Sequence, residues 1–267
     1  MKARAALEKL RAIGLTYPDT LDILSFLANI PYSTLPQYLD SLEISLPDKL
    51  FSQLKDELPI AYITGRKEFY GLEFKVTEDT LIPRPETEIL IDAVLKDFSG
   101  VPELSVLDLC TGSGTILLTL LNELPGSKGT GLDISGQALD VCRFNAEKLG
   151  LSERVRLIQA DLFNGFDSEG FDIITANPPY VSEEEYQSGE KSLFYEPRLA
   201  LVSGSDSLSF YKYLLSELKK SGNISSVYFE ISHSSGDSLT QLCLNAGFRA
   251  EIIKDLAGRD RVVRVLK

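Results

Sequence analysis

Leu104-Ser105-Val106-Leu107-Asp108-Leu109-Cys110-Thr111-Gly112-Ser113-Gly114 decides the fold. Its first six residues read as a strand, and the Cys110–Gly114 stretch turns the chain into a helix running from Thr115 to about Leu124. Glycines in such a turn let the backbone come close to a ligand and adopt positive φ. About twenty residues on, Gly129-Thr130-Gly131-Leu132-Asp133 reads as the next strand, ending in an acid able to accept both hydroxyls of a ribose. Open α/β sheets built from such units bind their ligands beyond the carboxyl ends of the strands. A dinucleotide site is the first alternative to weigh. Its G-x-G-x-x-G fingerprint requires glycine where this chain has Leu117, and leucine there argues against the close helix–strand approach used for pyrophosphate.

Farther along, Phe171-Asp172-Ile173-Ile174-Thr175-Ala176 reads as a buried strand that runs into Asn177-Pro178-Pro179-Tyr180. Each proline fixes its own φ and pushes the residue before it toward extended conformations. Neither has an N–H, so the loop offers mainly acceptors, the Asn177 side-chain oxygen and the Pro178 carbonyl. Two fixed acceptors beside an aromatic face suit a planar NH2 group, either an amide or the exocyclic amine of a base. An isolated Pro-Pro would be only a stiff turn; the cofactor site upstream makes it more. Gly112-x-Gly114, Asp133 at the second strand end and Asn177–Tyr180 at the fourth together resemble the Rossmann-like methyltransferases, which use S-adenosyl-L-methionine and methylate amino or amide nitrogen.

Around this core the 267-residue chain divides into two modules. Residues 1–58 are helical in pattern, with Leu7, Leu10, Leu21, Ile23, Leu24, Leu27, Leu35, Leu39, Leu50 and Leu54 spaced for a small bundle. Pro31, Pro36 and Pro47 punctuate it, and no residue in it carries chemistry. Residues 59–80 read as a linker containing a hairpin around Gly71, and residues 81–267 as the catalytic domain. There helices and strands alternate, with strands expected at 104–109, 128–133, 154–159, 171–176 and 224–231 and a closing pair at 248–254 and 260–266. The expected fold class is α/β, a Rossmann-like class I methyltransferase sheet whose last strand inserts antiparallel, with a small N-terminal helical domain.

Composition narrows the setting. No stretch approaches the roughly 18 continuous apolar residues of a membrane span, and the charged N-terminus is unlike a secretory signal. A cytoplasmic enzyme is expected. Cys110, Cys142 and Cys243 are scattered, so neither a zinc site nor a disulfide framework is indicated. A net charge of −12 argues against broad nucleic-acid binding, because phosphate contacts need a basic surface.

The resemblance narrows further on four stretches. Pro59-Ile60-Ala61-Tyr62-Ile63-Thr64-Gly65 with Glu68-Phe69, and Leu81-Ile82-Pro83-Arg84-Pro85-Glu86-Thr87-Glu88, are similar to the release-factor glutamine methyltransferases. So are Phe194-Tyr195-Glu196-Pro197-Arg198-Leu199-Ala200-Leu201 and the closing turn Asp255-Leu256-Ala257-Gly258-Arg259-Asp260-Arg261. The likeness is strong from residue 59 onward and loose before it. It implies methylation of the glutamine amide in the Gly-Gly-Gln motif of peptide chain release factors, during translation termination, by a monomeric enzyme. It implies catalytic roles for Asn177, Pro178, Pro179 and Tyr180. It also implies cofactor binding by Cys110, Thr111, Gly112, Ser113, Gly114, Asp133, Asp161, Leu162 and Asn177, with the helical module choosing the protein substrate. This chain departs from the family at Leu162, where some members carry Trp beside the adenine, and it has no Trp at all. It also carries Ser232 and Ser235 in place of the usual Gly and Gln.

Other residues have competing readings. Asp133 could cap the following helix, as Ser135 could equally. Asp108 orients the glycine loop or reaches the methionine ammonium. Asp161 accepts from the adenine amino group or sits in a solvated turn. Arg84 belongs to a rigid bridge over the pocket or is a surface charge, and Glu183-Glu184-Glu185 reads as a solvated face of a loop. The single histidine, His233, is a structural residue rather than a catalyst, so no Ser/His/Asp or Cys/His arrangement is expected. Three classes stay in view: glutamine methylation of release factors or, second, of a ribosomal protein; N6-adenine methylation of nucleic acid, which shares Asn-Pro-Pro-aromatic but wants a basic channel; and a non-catalytic adapter, which the intact motif set disfavours.

Overall fold

A computed structural model describes residues 1–221 and 226–266. By their contacts they fall into two units, Met1–Arg66 and the chain from Lys67 onward. In the first unit the helices are α1 (Ala3–Ala12), α2 (Tyr17–Ala28), α3 (Asp48–Lys55) and α4 (Ile60–Thr64), with a 3-10 turn at Leu35–Tyr38. Thr16 caps α2 by accepting from the Asp19 N–H, Pro18 occupies the first turn, and Asn29 ends the helix in the left-handed conformation. The leucine stripe is the core of this unit: Leu10, Leu21, Ile23, Leu24, Leu35, Leu39 and Leu50 are buried together, and Leu7, Leu27 and Leu54 pack at its edge.

The second unit begins with the hairpin of β1 (Arg66–Phe69) and β2 (Leu72–Lys75), turning at Tyr70-Gly71, both with positive φ. The domain then runs through α5 (Glu88–Phe98), β3 (Ser105–Leu109), α6 (Thr115–Glu123), β4 (Lys128–Asp133), α7 (Gly136–Lys148), β5 (Val155–Gln159) and β6 (Ile173–Ala176). It continues with the short helices α8 (Glu183–Gln187) and α9 (Arg198–Leu201), then α10 (Ser209–Ser221), β7 (Ser226–Glu230), α11 (Gly236–Ala246), β8 (Arg249–Lys254) and β9 (Asp260–Leu266). Of the strand expected at 224–231, residues 224 and 225 lie outside the described residues. The strand expected from Phe171 pairs only from Ile173, although Asp172 is already tied to Ser105 by two hydrogen bonds of 2.8 Å.

The seven strands form one sheet in the order β5-β4-β3-β6-β7-β9-β8, parallel from β5 to β7, with β9 antiparallel to both its neighbours. The chain reverses direction across the sheet between β3 and β6, so the two middle strands open their carboxyl ends onto a crevice. Alternation along each strand divides the core. Val106, Ile173, Tyr228 and Val262 face α5, α6 and α7, while Leu107, Leu109, Ile174, Val227, Phe229 and Val263 face α10 and α11.

Glycines set how closely α6 and β4 approach. A Cβ on Gly129 would lie 2.4 Å from Leu117 Cδ1, and one on Gly131 would lie 3.1 Å from Leu117 Cδ2. Leu117 does rule out a glycine on the helix side, but the close approach it was expected to remove is retained. The missing side chains are on the strand, and Leu117 fills the space they leave.

Candidate active site

A cavity of about 310 Å³ opens at the carboxyl ends of β3, β4 and β6. Among the residues expected at the site, Cys110, Thr111, Gly112, Ser113, Asp133, Asp161, Leu162, Asn177 and Pro179 line it. Gly114, Pro178 and Tyr180 are not among its lining residues.

The glycine loop is built from backbone geometry. Cys110, Gly112 and Gly114 all have positive φ, at 57°, 56° and 82°. Cys110 adopts it with a side chain, and burial pushes its thiol well above the ordinary range, with the charges of Asp133 and Asp108 adding to that. Gly112 has nothing but the Cys110 carbonyl within 4 Å of where its Cβ would be, which leaves its cavity face open. Gly114 is different: a Cβ there would meet Cys142 Sγ at 2.4 Å, so it serves packing and opens α6.

Two carboxylates hold this loop. Asp108 is 1% exposed and accepts from the Thr111 hydroxyl at 2.6 Å and the Thr175 hydroxyl at 2.7 Å. Of its two expected roles the geometry selects loop orientation. Burial pushes its carboxyl up to about 7, against the pull of the two hydroxyls. Asp133 accepts from the Gly112 N–H at 2.8 Å through Oδ2 and from the Ser135 N–H at 2.9 Å through Oδ1. It does not cap α7; Ser135 does, accepting from the Ala138 N–H at 3.1 Å. Asp133 lines the cavity; burial raises its carboxyl above the ordinary range, and the backbone N–H groups of Ser135, Gly112 and Ile134 counter that.

Asn145, fully buried on α7, is a positioning residue that sequence reasoning missed. Its Nδ2 donates to the Ser113 carbonyl at 2.9 Å and the Lys75 carbonyl at 3.0 Å, while its Oδ1 accepts from the Lys75 N–H at 2.8 Å. One side chain thus ties the loop to the hairpin. An asparagine in the middle of an amphipathic helix was the available signal, since it is a poor helix former that needs partners when buried.

One end of the cavity is apolar. Ile134 is 46% exposed and Phe163 is 54% exposed, and both line the cavity with Leu162. Leu162, at 8% exposed, belongs to the core as well as to the cavity lining, and the ring of Phe163 is tilted against Tyr213 with centroids 5.2 Å apart. Asp161 accepts from the Phe163 N–H at 3.0 Å and so caps the turn that presents the ring.

A buried ion pair crosses the other wall. Glu196, 4% exposed, accepts from the Ile82 N–H at 2.9 Å and is paired with the Arg84 guanidinium. Arg84 is therefore not a mere surface charge; with Glu196 it clamps Pro83-Arg84-Pro85 to the segment that follows the Asn-Pro-Pro-Tyr loop. That loop continues into α8, whose start is a full capping box between Ser182 and Glu185. Glu183 pairs with Arg198, and the acidic run is otherwise solvated.

At the end of β6, Asn177 Nδ2 donates to Thr87 Oγ1 at 3.5 Å, and Tyr180 donates its hydroxyl to Glu230 Oε1 at 3.2 Å. Burial beside Glu230 drives the Tyr180 phenol far above its ordinary range, so it remains a donor. His233 is exposed and lies outside the cavity. Among the described residues there is no cluster able to hold a metal ion, and no helix is long and apolar enough to cross a membrane.

Comparison with known proteins agrees with this geometry. Residues 101–256 match the methyltransferase domain family. A release factor glutamine methyltransferase of Caulobacter vibrioides is 41% identical over 214 residues, covering 78% of this chain and 73% of that one. A bifunctional methyltransferase of Rickettsia conorii is 34% identical over 295 residues, covering 97% of this chain, which spans little more than half, 56%, of that relative. The structure of the hMettl16 catalytic domain in complex with MAT2A 3'UTR hairpin 6 is similar with a TM-score of 0.63 at 14% identity, over 84% of each chain, a likeness of fold alone. The chain belongs to the release factor glutamine methyltransferase family.

Proposed function

We propose, with that family membership as the premise, that the chain transfers a methyl group from S-adenosyl-L-methionine to a glutamine side-chain amide. The target is the glutamine of the Gly-Gly-Gln motif in peptide chain release factors, and the enzyme works as a cytoplasmic monomer. The observation that carries this reading is that Asn177, Gly112 and Asp133 line one cavity, so an acceptor for an NH2 group faces a nucleoside-sized site.

The residues fit the cofactor. Asp133 offers two lone pairs for ribose hydroxyls, Gly112 leaves room for close approach, and Ile134, Leu162 and Phe163 form an apolar slot for a base. When bound, S-adenosyl-L-methionine supplies an electrophilic methyl group. The chain's task is to orient a poor nucleophile, because an amide lone pair is delocalised into its carbonyl. Asn177 Oδ1 and the Pro178 carbonyl would each accept one N–H of the glutamine amide, and those bonds strengthen as positive charge develops on nitrogen. Positioning supplies much of the rate. No base is needed before attack, which suits a site whose only histidine is exposed and outside the cavity; the proton leaves the alkylated nitrogen afterwards. The acidic chain, at −12, favours a protein over a nucleic-acid substrate. The helical unit Met1–Arg66, which carries no catalytic motif, is assigned to substrate choice.

Transfer of labelled methyl to a purified release factor, compared with the same factor carrying a replaced Gly-Gly-Gln glutamine, tests the reaction. Label is expected only in the first; label in both, or in an adenine-bearing oligonucleotide instead, would overturn it. Removing residues 1–58 should reduce transfer to the whole factor more than transfer to a short Gly-Gly-Gln peptide. Equal losses would remove the helical unit from substrate choice.

A further inference from the structure

Asn177 accepts from a substrate NH2 only if Oδ1, rather than Nδ2, faces the cavity. A carboxamide turned by half a rotation presents the wrong atom, and nothing in its shape prevents that. Its neighbour Thr87, 4% exposed just before α5, must therefore set the orientation. A threonine hydroxyl carries one proton. Aimed at Asn177, that proton would attract Oδ1 and turn the NH2 group into the cavity; aimed elsewhere, it leaves Oγ1 to accept from Nδ2, which is the bond observed at 3.5 Å.

Glu230 decides where the proton goes. Its carboxylate closes β7, the strand beside β6, and is 2% exposed. Oε1 accepts from Tyr180, whereas Oε2 is buried with no hydrogen-bond partner. A buried carboxylate oxygen without a partner is costly, and an ionised carboxylate can only accept. Burial raises the Glu230 carboxyl above its ordinary range and the charge of Glu86 adds to that, while the hydroxyls of Thr87 and Tyr180 and the charge of Arg261 pull it back toward the ionised form. Tyr180 is already engaged with Oε1. We infer that Thr87 and Glu230 are positioning residues for methyl transfer: Glu230 draws the Thr87 hydroxyl proton, and Thr87 Oγ1 then holds Asn177 Nδ2 away from the cavity and Oδ1 toward it.

This inference rests on the reading that Asn177 Oδ1 accepts from the substrate amide, and the tests separate the two. In the full-length chain, Thr87→Val should lower kcat about tenfold to a hundredfold, as expected of a misplaced reacting group. KM for the release factor and Kd for S-adenosyl-L-methionine should move less than about twofold, a split that general loss of structure would not produce. Thr87→Ser should restore most of kcat. Glu230→Gln should lower kcat in the same way, because a carboxamide can donate to Thr87 and release its proton toward Asn177. Combining Thr87→Val with Asn177→Ala should add little to the loss from Asn177→Ala alone. Unchanged kcat in folded Thr87→Val and Glu230→Gln, or full additivity in the double variant, would overturn the relay. An activity-independent arm uses 15N-labelled protein, in which Asn177 amide protons should show contacts to the Thr87 methyl that Glu230→Gln weakens. Absence of those contacts in the parent also overturns it, whereas a parent that leaves Gly-Gly-Gln unmethylated overturns the functional reading instead.

Discussion

The loops after β3 and β6 leave neighbouring parallel strands at the same edge of the sheet, yet they are held by opposite means. The Cys110–Gly114 loop takes its shape from three positive-φ residues, from the Thr111 hydroxyl tied to Asp108, and from backbone groups tied to Asp133 and Asn145. The Asn177–Tyr180 loop takes its shape from two prolines, and only its end residues, Asn177 and Tyr180, engage side chains behind it. In the first loop conformation and packing are the function, so substitutions there should be read as losses of stability or affinity. In the second the prolines hold the backbone, and the Asn177 side chain, bonded to Thr87 Oγ1, lines the cavity. The difference teaches that one crevice can have a wall limited by packing and a wall limited by a single polar contact.

The largest effect should come from the proline-held side. Asn177→Ala removes a preorganised acceptor, and such losses cost roughly two to three orders of magnitude in turnover. Its melting temperature should stay within about 2 °C of the parent, since no core contact is lost. Near-normal turnover in the folded, cofactor-bound variant would erase the contrast between the loops.

Gly114→Ala should act almost wholly on stability. Its Cβ would sit 2.4 Å from Cys142 Sγ and 2.9 Å from Leu118 Cδ1, at a φ of 82°. Overpacking and left-handed strain together should cost on the order of 2–4 kcal/mol, read from urea unfolding. Adding Cys142→Ala should recover part of that, and no recovery would show that the backbone conformation, not the sulfur, sets the cost.

Asp133→Ala should weaken S-adenosyl-L-methionine binding by roughly 1.5–3 kcal/mol, or about ten- to a hundredfold, in calorimetry. Unchanged affinity would mean that Asp133 only holds Gly112 and Ser135. The smallest effect is pH-dependent. Asp108 is raised to about 7 in the folded chain from an ordinary 3.8, so the stability linked to its protonated form is complete below about pH 4 and lost as pH rises through 7. Asp108→Asn removes that loss. The melting temperature of the variant minus that of the parent should therefore be higher at pH 8 than at pH 5, by several degrees. A difference independent of pH would show that the carboxyl does not titrate in this window.

Most of the crevice was legible from local pattern. Leu104–Leu109 and Phe171–Ala176 announce themselves as apolar runs, Gly129–Asp133 by its place about twenty residues after the glycine turn, and Ser135 by its place before a helix. Harder cases failed for definite reasons. Leu117 was read as opening a gap between α6 and β4 because a leucine on a helix says nothing about Gly129 and Gly131 on the strand facing it. Leu162 is expected at the cavity and lines it while also packing in the core, but Phe163 beside it, which lines the cavity too, goes unmarked in the sequence. Glu230 had a visible sign, a lone acid closing the apolar run Val227-Tyr228-Phe229, whose meaning depends on what surrounds it.

The sequence by itself determined the order of elements, the placement of both loops at strand ends and the identities of Asp133 and Asn177, because strand periodicity, glycine turns and proline geometry are properties of neighbouring residues. Only the tertiary structure decided which side chains hold those loops. Asn145 reaches Ser113 across 32 positions, Tyr180 reaches Glu230 across 50, Asn177 reaches Thr87 across 90 and Glu196 reaches Ile82 across 114. Nothing local favours any of these pairs. They form because folding buries polar groups that would otherwise lack partners, and each must be satisfied by whatever the sheet brings beside it.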